Sequence, residues 1–191
     1  MDADFSIELG HEDAVLDLPW KDPSGKLAYV ELKRRPDLLA QIPEAETFPE
    51  LGKALQTINS PRSIVETAKC DAWATTELNA EEVHYEAPHK FASYMDIVFS
   101  AMDARLSFSL HEGFARELVN LLRRVPEAAT ALEVCVRRCY SQEKEIVREG
   151  YYFTLYVYGY GNDGDSARQN WGTGLNLIAN AILELSAKRS Q

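Results

Sequence analysis

The chain is 191 residues long, 46% hydrophobic and 26% charged, a composition that suits one ordinary globular core. Acidic residues outnumber basic ones 30 to 20, for a formal charge of −10; this opposes generic nucleic-acid binding, which needs a cationic field to displace counterions from phosphates. No apolar run approaches the ~20 residues of a membrane helix, and Met1-Asp2-Ala3-Asp4 offers neither the basic nor the apolar region of a signal peptide.

Phe5, Ile7 and Leu9 alternate with Ser6, Glu8 and Gly10, which predicts a first strand. Asp22-Pro23-Ser24-Gly25 is turn chemistry, with Pro early and Gly last. Tyr29 to Lys33 then reads as a second strand, Val30 and Leu32 facing one way. Pro36 opens a helical piece that Pro43 interrupts. A second piece carries Thr47-Phe48-Pro49-Glu50 as a capping box, then Leu51, Leu55 and Ile58 at helical spacing, and ends at Asn59-Ser60-Pro61.

The remainder reads as two copies of one strand–strand–helix plan. In the first, Cys70 to Leu78 and Phe91 to Ser100 are strands, with Phe91, Ser93, Met95, Ile97 and Phe99 on one face and Tyr94 and Asp96 on the other. Asp103-Ala104-Arg105 leads into a helix whose seam is Leu106, Leu110, Phe114, Leu118, Leu121 and Val125; Ser109-Leu110-His111-Glu112 offers a later start. In the second, Leu132 to Ser141 and Tyr151 to Tyr160 are strands, with Phe153, Leu155 and Val157 opposite Tyr152, Tyr156, Tyr158 and Tyr160. The last helix begins near Asp163 or Asp165 and buries Ala167, Trp171, Gly174, Ile178, Ile182 and Leu185. The predicted fold is a single α+β domain: an antiparallel sheet from a duplicated strand–strand–helix unit, helices on one face. Residues 1–66 extend or cover the sheet, and 67–128 and 129–191 are the two units.

The motifs that carry chemistry are sparse. Three cysteines, Cys70, Cys135 and Cys139, are too few and too odd in number for a disulfide framework. Cys135 and Cys139 on one strand would stand ~13 Å apart, beyond the reach of a bridge. A reduced cytoplasmic protein is expected. Gly159-Tyr160-Gly161-Asn162-Asp163-Gly164 spells GxGxxG, but no strand follows its helix, and Asp163 and Asp165 would repel phosphate. Turn and cap chemistry accounts for it, and no cofactor is predicted. His84, Glu86 and His89 have ligand chemistry but no fourth partner at suitable spacing, so no metal site is predicted. His111, beside Glu112 in a helix, reads as structural.

Asp17, Glu31 and Lys33 form a D…ExK set that resembles the PD-(D/E)xK nuclease motif. The resemblance covers Asp17 to Lys33 and implies two metal-holding carboxylates and a lysine that orients the attacking water; Pro19 follows the aspartate where the motif has proline before it. This metal-dependent nuclease is the alternative reading.

The leading reading rests on the other sheet face. Trp73, Glu77, Tyr94, Asp96, Arg137, Tyr156 and Tyr158 all point away from the helices if the strands pair as expected. Tyrosine suits partly wet contacts, and a large exposed aromatic patch marks an interface. The expectation is a non-catalytic binding or assembly module, self-associating as a homodimer or holding a small-molecule or protein ligand. Trp73, Tyr94, Tyr156 and Tyr158 supply contact area, and Arg137 pairs with an acidic group or a ligand. No nucleic-acid or membrane partner is expected.

Overall fold

A computed structural model describes residues 1–22, 24–76, 87–126, 128–143 and 145–189. Strands β1 (Asp2–Glu8), β2 (Leu16–Leu18), β3 (Val65–Thr75), β4 (His89–Phe99), β5 (Thr130–Glu143) and β6 (Ile146–Gly161) form one sheet in the order β1-β5-β6-β4-β3. β2 pairs with β5 beyond the end of β1. The pairs β3/β4, β4/β6 and β5/β6 are antiparallel. β1 and β2 both run parallel to β5, so the sheet is mixed rather than wholly antiparallel. The β5–β6 hairpin leaves the outer edge of β5 free, and the residues between Glu8 and Thr130 supply the long connection that a parallel pair requires.

Tyr29 to Lys33 is not a strand. Leu32 N donates to Val30 O, and Arg34 N and Arg35 N both donate to Glu31 O, which makes this segment a turn. Lys33 Nζ reaches instead to the carbonyls of Ser63 and of Val65, the latter at 2.9 Å. A side chain thereby occupies acceptors that a neighbouring strand's N–H groups would have taken. The preceding turn follows its chemistry: Gly25 has φ +71°, and Asp22 accepts from the amides of Ser24 and Leu27.

Pro36–Gln41 is a 3₁₀ turn, followed by α1 (Pro43–Thr47) and α2 (Pro49–Ile58). Pro43 and Pro49 each sit in a first turn, where a missing N–H costs nothing. The Thr47 hydroxyl donates back to Pro43 O and caps nothing, so the expected capping box does not form; Glu50 pairs with Arg168 at 2.9 Å. The helix expected after Asp103 divides into α3 (Met102–Arg105) and α4 (Phe108–Leu122), and Ser107 Oγ caps α4 by accepting from Leu110 N. α5 (Gly164–Arg189) starts with a reciprocal cap, Ser166 N to Asp163 Oδ1 and Asp163 N to Ser166 Oγ.

The helices cover one face of the sheet, α5 along β6 and β4, α4 along β5 and β1, and α2 beside β3. Beneath them lie Met95, Ile97, Phe99, Val134, Val136, Phe153, Leu155 and Val157, all buried. Trp171 of α5 is fully buried and donates to Ser93 Oγ at 2.8 Å. Its backbone passes so close to β6 that a Cβ on Gly159 would collide with Trp171 N and Ala167 O, and one on Gly161 with Ser166 and Ala167. The first two glycines of the GxGxxG string, Gly159 and Gly161, are there for helix–strand contact. No helix among the described residues is long and apolar enough to cross a membrane.

Candidate functional site

The strand registers bring Trp73, Tyr94, Asp96, Arg137, Tyr156 and Tyr158 to the sheet face opposite the helices. Asp71 stands opposite Tyr94, and Trp73 opposite Ala92. Tyr94 pairs with Tyr156, Asp96 with Thr154 and Ala92 with Tyr158. Cys135 stands opposite Thr154 and Arg137 opposite Tyr152. Glu77, His84 and Glu86 lie outside the described residues.

The N-terminal segment covers one end of this face. Leu16, Leu18, Trp20 and Tyr29 pack over Ala68, Val98, Cys139 and Tyr152 in a second, smaller apolar cluster. Trp20 Nε1 donates to Ala68 O at 2.5 Å, and Tyr29 OH to Glu66 Oε1 at 3.1 Å. The other end carries a run of rings: Trp73 to Tyr94 at 6.4 Å and Tyr94 to Tyr156 at 6.5 Å between centroids. Trp73 is 39% exposed, and Tyr94, Tyr156 and Tyr158 are partly so.

A polar chain crosses the middle of the face. Glu8 Oε2 accepts from Arg137 Nε at 2.7 Å; Arg137 Nη1 donates to Thr154 Oγ1 at 3.0 Å and Tyr156 OH at 3.2 Å. Thr154 Oγ1 in turn donates to Asp96 Oδ1 at 2.7 Å. Arg137 is thus held by an acidic residue of its own chain. Burial raises the Asp96 carboxyl to about 6, although the Thr154 hydroxyl, Lys69 and Arg137 all pull it down. Burial likewise pushes the Cys135 thiol up to about 12 and Cys139 to about 11; neither is a thiolate nucleophile at neutral pH. All three cysteines are free.

At the covered end, the strap of residues 20–44 and the edge of β3 enclose a cleft of about 870 Å³. Tyr94, Lys69 and Cys70 line it on the sheet side, and Trp20, Leu32, Ile42 and Leu55 on the strap and α2 side. Lys69 Nζ stands 5.5 Å from the Trp20 ring centroid and 5.6 Å from that of Tyr94.

The D…ExK residues do not share one strand-built site. Glu31 and Lys33 border a smaller cleft of about 380 Å³ with Glu66 and Arg105, and Asp17 is not among its lining. Because residues 29–33 form a turn, Glu31 and Lys33 do not project from one strand face. Glu31 lies 3.6 Å from Arg34, and the Lys33 ammonium is held by two main-chain carbonyls.

Sequence reasoning missed Glu8, Thr154, Trp20 and Lys69. Thr154 was recoverable, since it alternates with Tyr152 and Tyr156. Glu8 was not, because its place opposite Arg137 depends on the parallel β1/β5 register. Compared with known protein families, curated proteins and solved structures, the chain matches none.

Proposed function

We propose that the chain is a non-catalytic binding module of the cytoplasm that assembles with a second copy of itself through the open end of its tyrosine-rich face. The observation that carries this reading is the run Trp73–Tyr94–Tyr156, left part-exposed where the N-terminal strap stops covering the sheet. Rings with polar tips give contact area on a surface that is wet when free. Arg137 supports the face by bracing Tyr156 against Glu8 rather than by reaching outward. Sedimentation velocity is the test: a dimer is expected for the native chain and a folded monomer for the double variant Tyr156→Glu/Tyr158→Glu. Trp73→Arg repeats the test at an exposed position, where folding is least at risk. A monomeric native chain, or variants that remain dimeric, would overturn the reading.

The nuclease alternative has less support, since the Lys33 ammonium is already engaged and Asp17 does not line the cleft that Glu31 and Lys33 border. We also infer that β3–β4–α4 and β5–β6–α5 derive from one duplicated unit. Each is an antiparallel hairpin followed by a helix on the same sheet face, and the two meet through β4 and β6. Superposing residues 70–125 on 132–187 tests this; failure of the strands to overlay in order would refute it.

A further inference from the structure

The 870 Å³ cleft adjoins the open end of the face, with Tyr94 common to both, and has its own chemistry. Its floor is apolar, with Leu32 and Leu55 buried. At its sheet end an ammonium, that of Lys69, stands over the rings of both Trp20 and Tyr94, and among the described residues it makes no ion pair. The faces of such rings attract cations, and more strongly where water is excluded.

Carboxylates gather at the same end. Glu44 of α1 and Asp71 of β3 both line the cleft. Together with Asp96 they add to the effect of burial in raising both the Tyr94 hydroxyl and the Cys70 thiol, the latter to about 12. The cations of the wall are less committed to this end. Arg35 is paired with Asp37, and Lys21 and Lys26 are exposed on the Asp22 turn, where solvent screens them. An anionic ligand here would face Glu44 and Asp71, with Lys69 as its near counter-charge. A cation would meet two rings and the carboxylates, and a chain of charge −10 steers cations inward.

We propose that this cleft binds a small organic cation with a planar aromatic body, its charged centre taking the place between Trp20 and Tyr94 that the Lys69 ammonium holds, and its body lying on the Leu32–Leu55 floor. Lys69 is then a built-in competitor, on a flexible four-carbon stem that can carry its charge out to solvent. Of the open-end rings only Tyr94 lines the cleft, and sedimentation reads self-association separately.

The test uses two dyes of opposite charge on the full chain at low salt: thioflavin T, a planar cation, and 8-anilinonaphthalene-1-sulfonate, an aromatic anion. Thioflavin T is expected to bind with a rise in fluorescence. It should also slow maleimide labelling of Cys70, which lines the cleft and is the one cysteine not buried. Lys69→Met should tighten thioflavin T by about fivefold, because it removes the competing cation from the rings. Asp71→Asn should weaken it by about threefold, the scale of one partly screened charge, and this variant keeps Lys69 in place should Lys69→Met loosen the strap. Thermal melts verify that each variant is folded. The decisive result is the sign of the Lys69 effect. Preferential binding of the anionic dye, lost in Lys69→Met, would make Lys69 an anion anchor and overturn the proposal. Absence of thioflavin T binding, or binding that leaves Cys70 labelling unchanged, would overturn it as well.

Discussion

Thr154 Oγ1 donates a 2.7 Å hydrogen bond to Asp96 Oδ1, on a carboxyl that the fold leaves only 7% exposed. Burial is the largest influence on that acid and raises it to about 6. An acid whose folded value lies above its unfolded one stabilises the protein while protonated. That contribution is complete below about pH 4 and disappears as pH rises through about 6. At neutral pH the fold therefore carries a buried charge that Lys69 and Arg137 offset only in part.

Asp96→Asn keeps an acceptor for Thr154 and removes the charge. At pH 7.5 the variant is expected to be more stable than the native chain by about 2–3 kcal/mol, and at pH 4 the two should agree to within about 0.5 kcal/mol. Denaturant titrations at the two pH values measure this. A less stable variant at pH 7.5 would mean that Lys69 and Arg137 outweigh burial.

His111 acts in the same pH window with the opposite sign. It is fully buried, packed on Phe99 and Phe153 at 4.7 Å each, with Nδ1 2.8 Å from Ser107 O. Burial lowers it to about 4, so its contribution is present above about pH 6.5 and is lost as pH falls toward 4. Acidification from 6.5 to 4 should cost the native chain little, because Asp96 gains what His111 loses. In Asp96→Asn the His111 loss stands alone, and stability should fall by about 2–3 kcal/mol over that range. A flat profile in that variant would show that His111 is not held neutral by the fold.

Much of the fold was legible in alternation and spacing. The period-2 pattern of Phe91 to Phe99 and of Tyr152 to Tyr160 assigned side chains to the correct faces, because a half-buried strand has no other way to bury one row and wet the other. The seam from Ala167 to Leu185 marked the buried side of α5 for the same kind of reason. What alternation does not encode is direction and partner. Nothing in Phe5 to Leu9 tells whether that strand meets its neighbour parallel or antiparallel, so the β1/β5 pairing, and with it the Glu8–Arg137 contact, was out of reach.

Local chemistry also misled where a tertiary partner overrode it. Tyr29 to Lys33 alternates as a strand should, yet turn hydrogen bonds and the Lys33 side chain satisfy that stretch instead. Ser109 offered a capping box, but Ser107 caps α4 because Leu106 closes the preceding turn onto Met102. The tyrosine-rich face was visible as a pattern. Its division into a covered end and an open end was not, since that depends on where residues 16–29 cross the sheet.

The GxGxxG string supplies the last prediction, because a helix–strand contact and a phosphate cradle make different demands on its three glycines. In a dinucleotide site the first two bring the turn and backbone to the pyrophosphate, and the third permits close helix–strand packing. Here the roles are distributed otherwise. A Cβ at Gly159 or Gly161 meets α5 backbone, whereas one at Gly164 meets nothing within 4 Å. Gly159→Ala is therefore expected to destabilise the chain by about 3 kcal/mol or more, since the backbone of Trp171 and Ala167 cannot yield as a side chain would. Gly164→Ala, in the first turn of α5, should be neutral or slightly stabilising, because alanine favours the helix and restricts the unfolded chain. Urea titrations of both variants measure the contrast. Equal losses at positions 159 and 164 would show that the third glycine is also pressed against a neighbour, and the account of α5 packing on β6 would have to be redrawn.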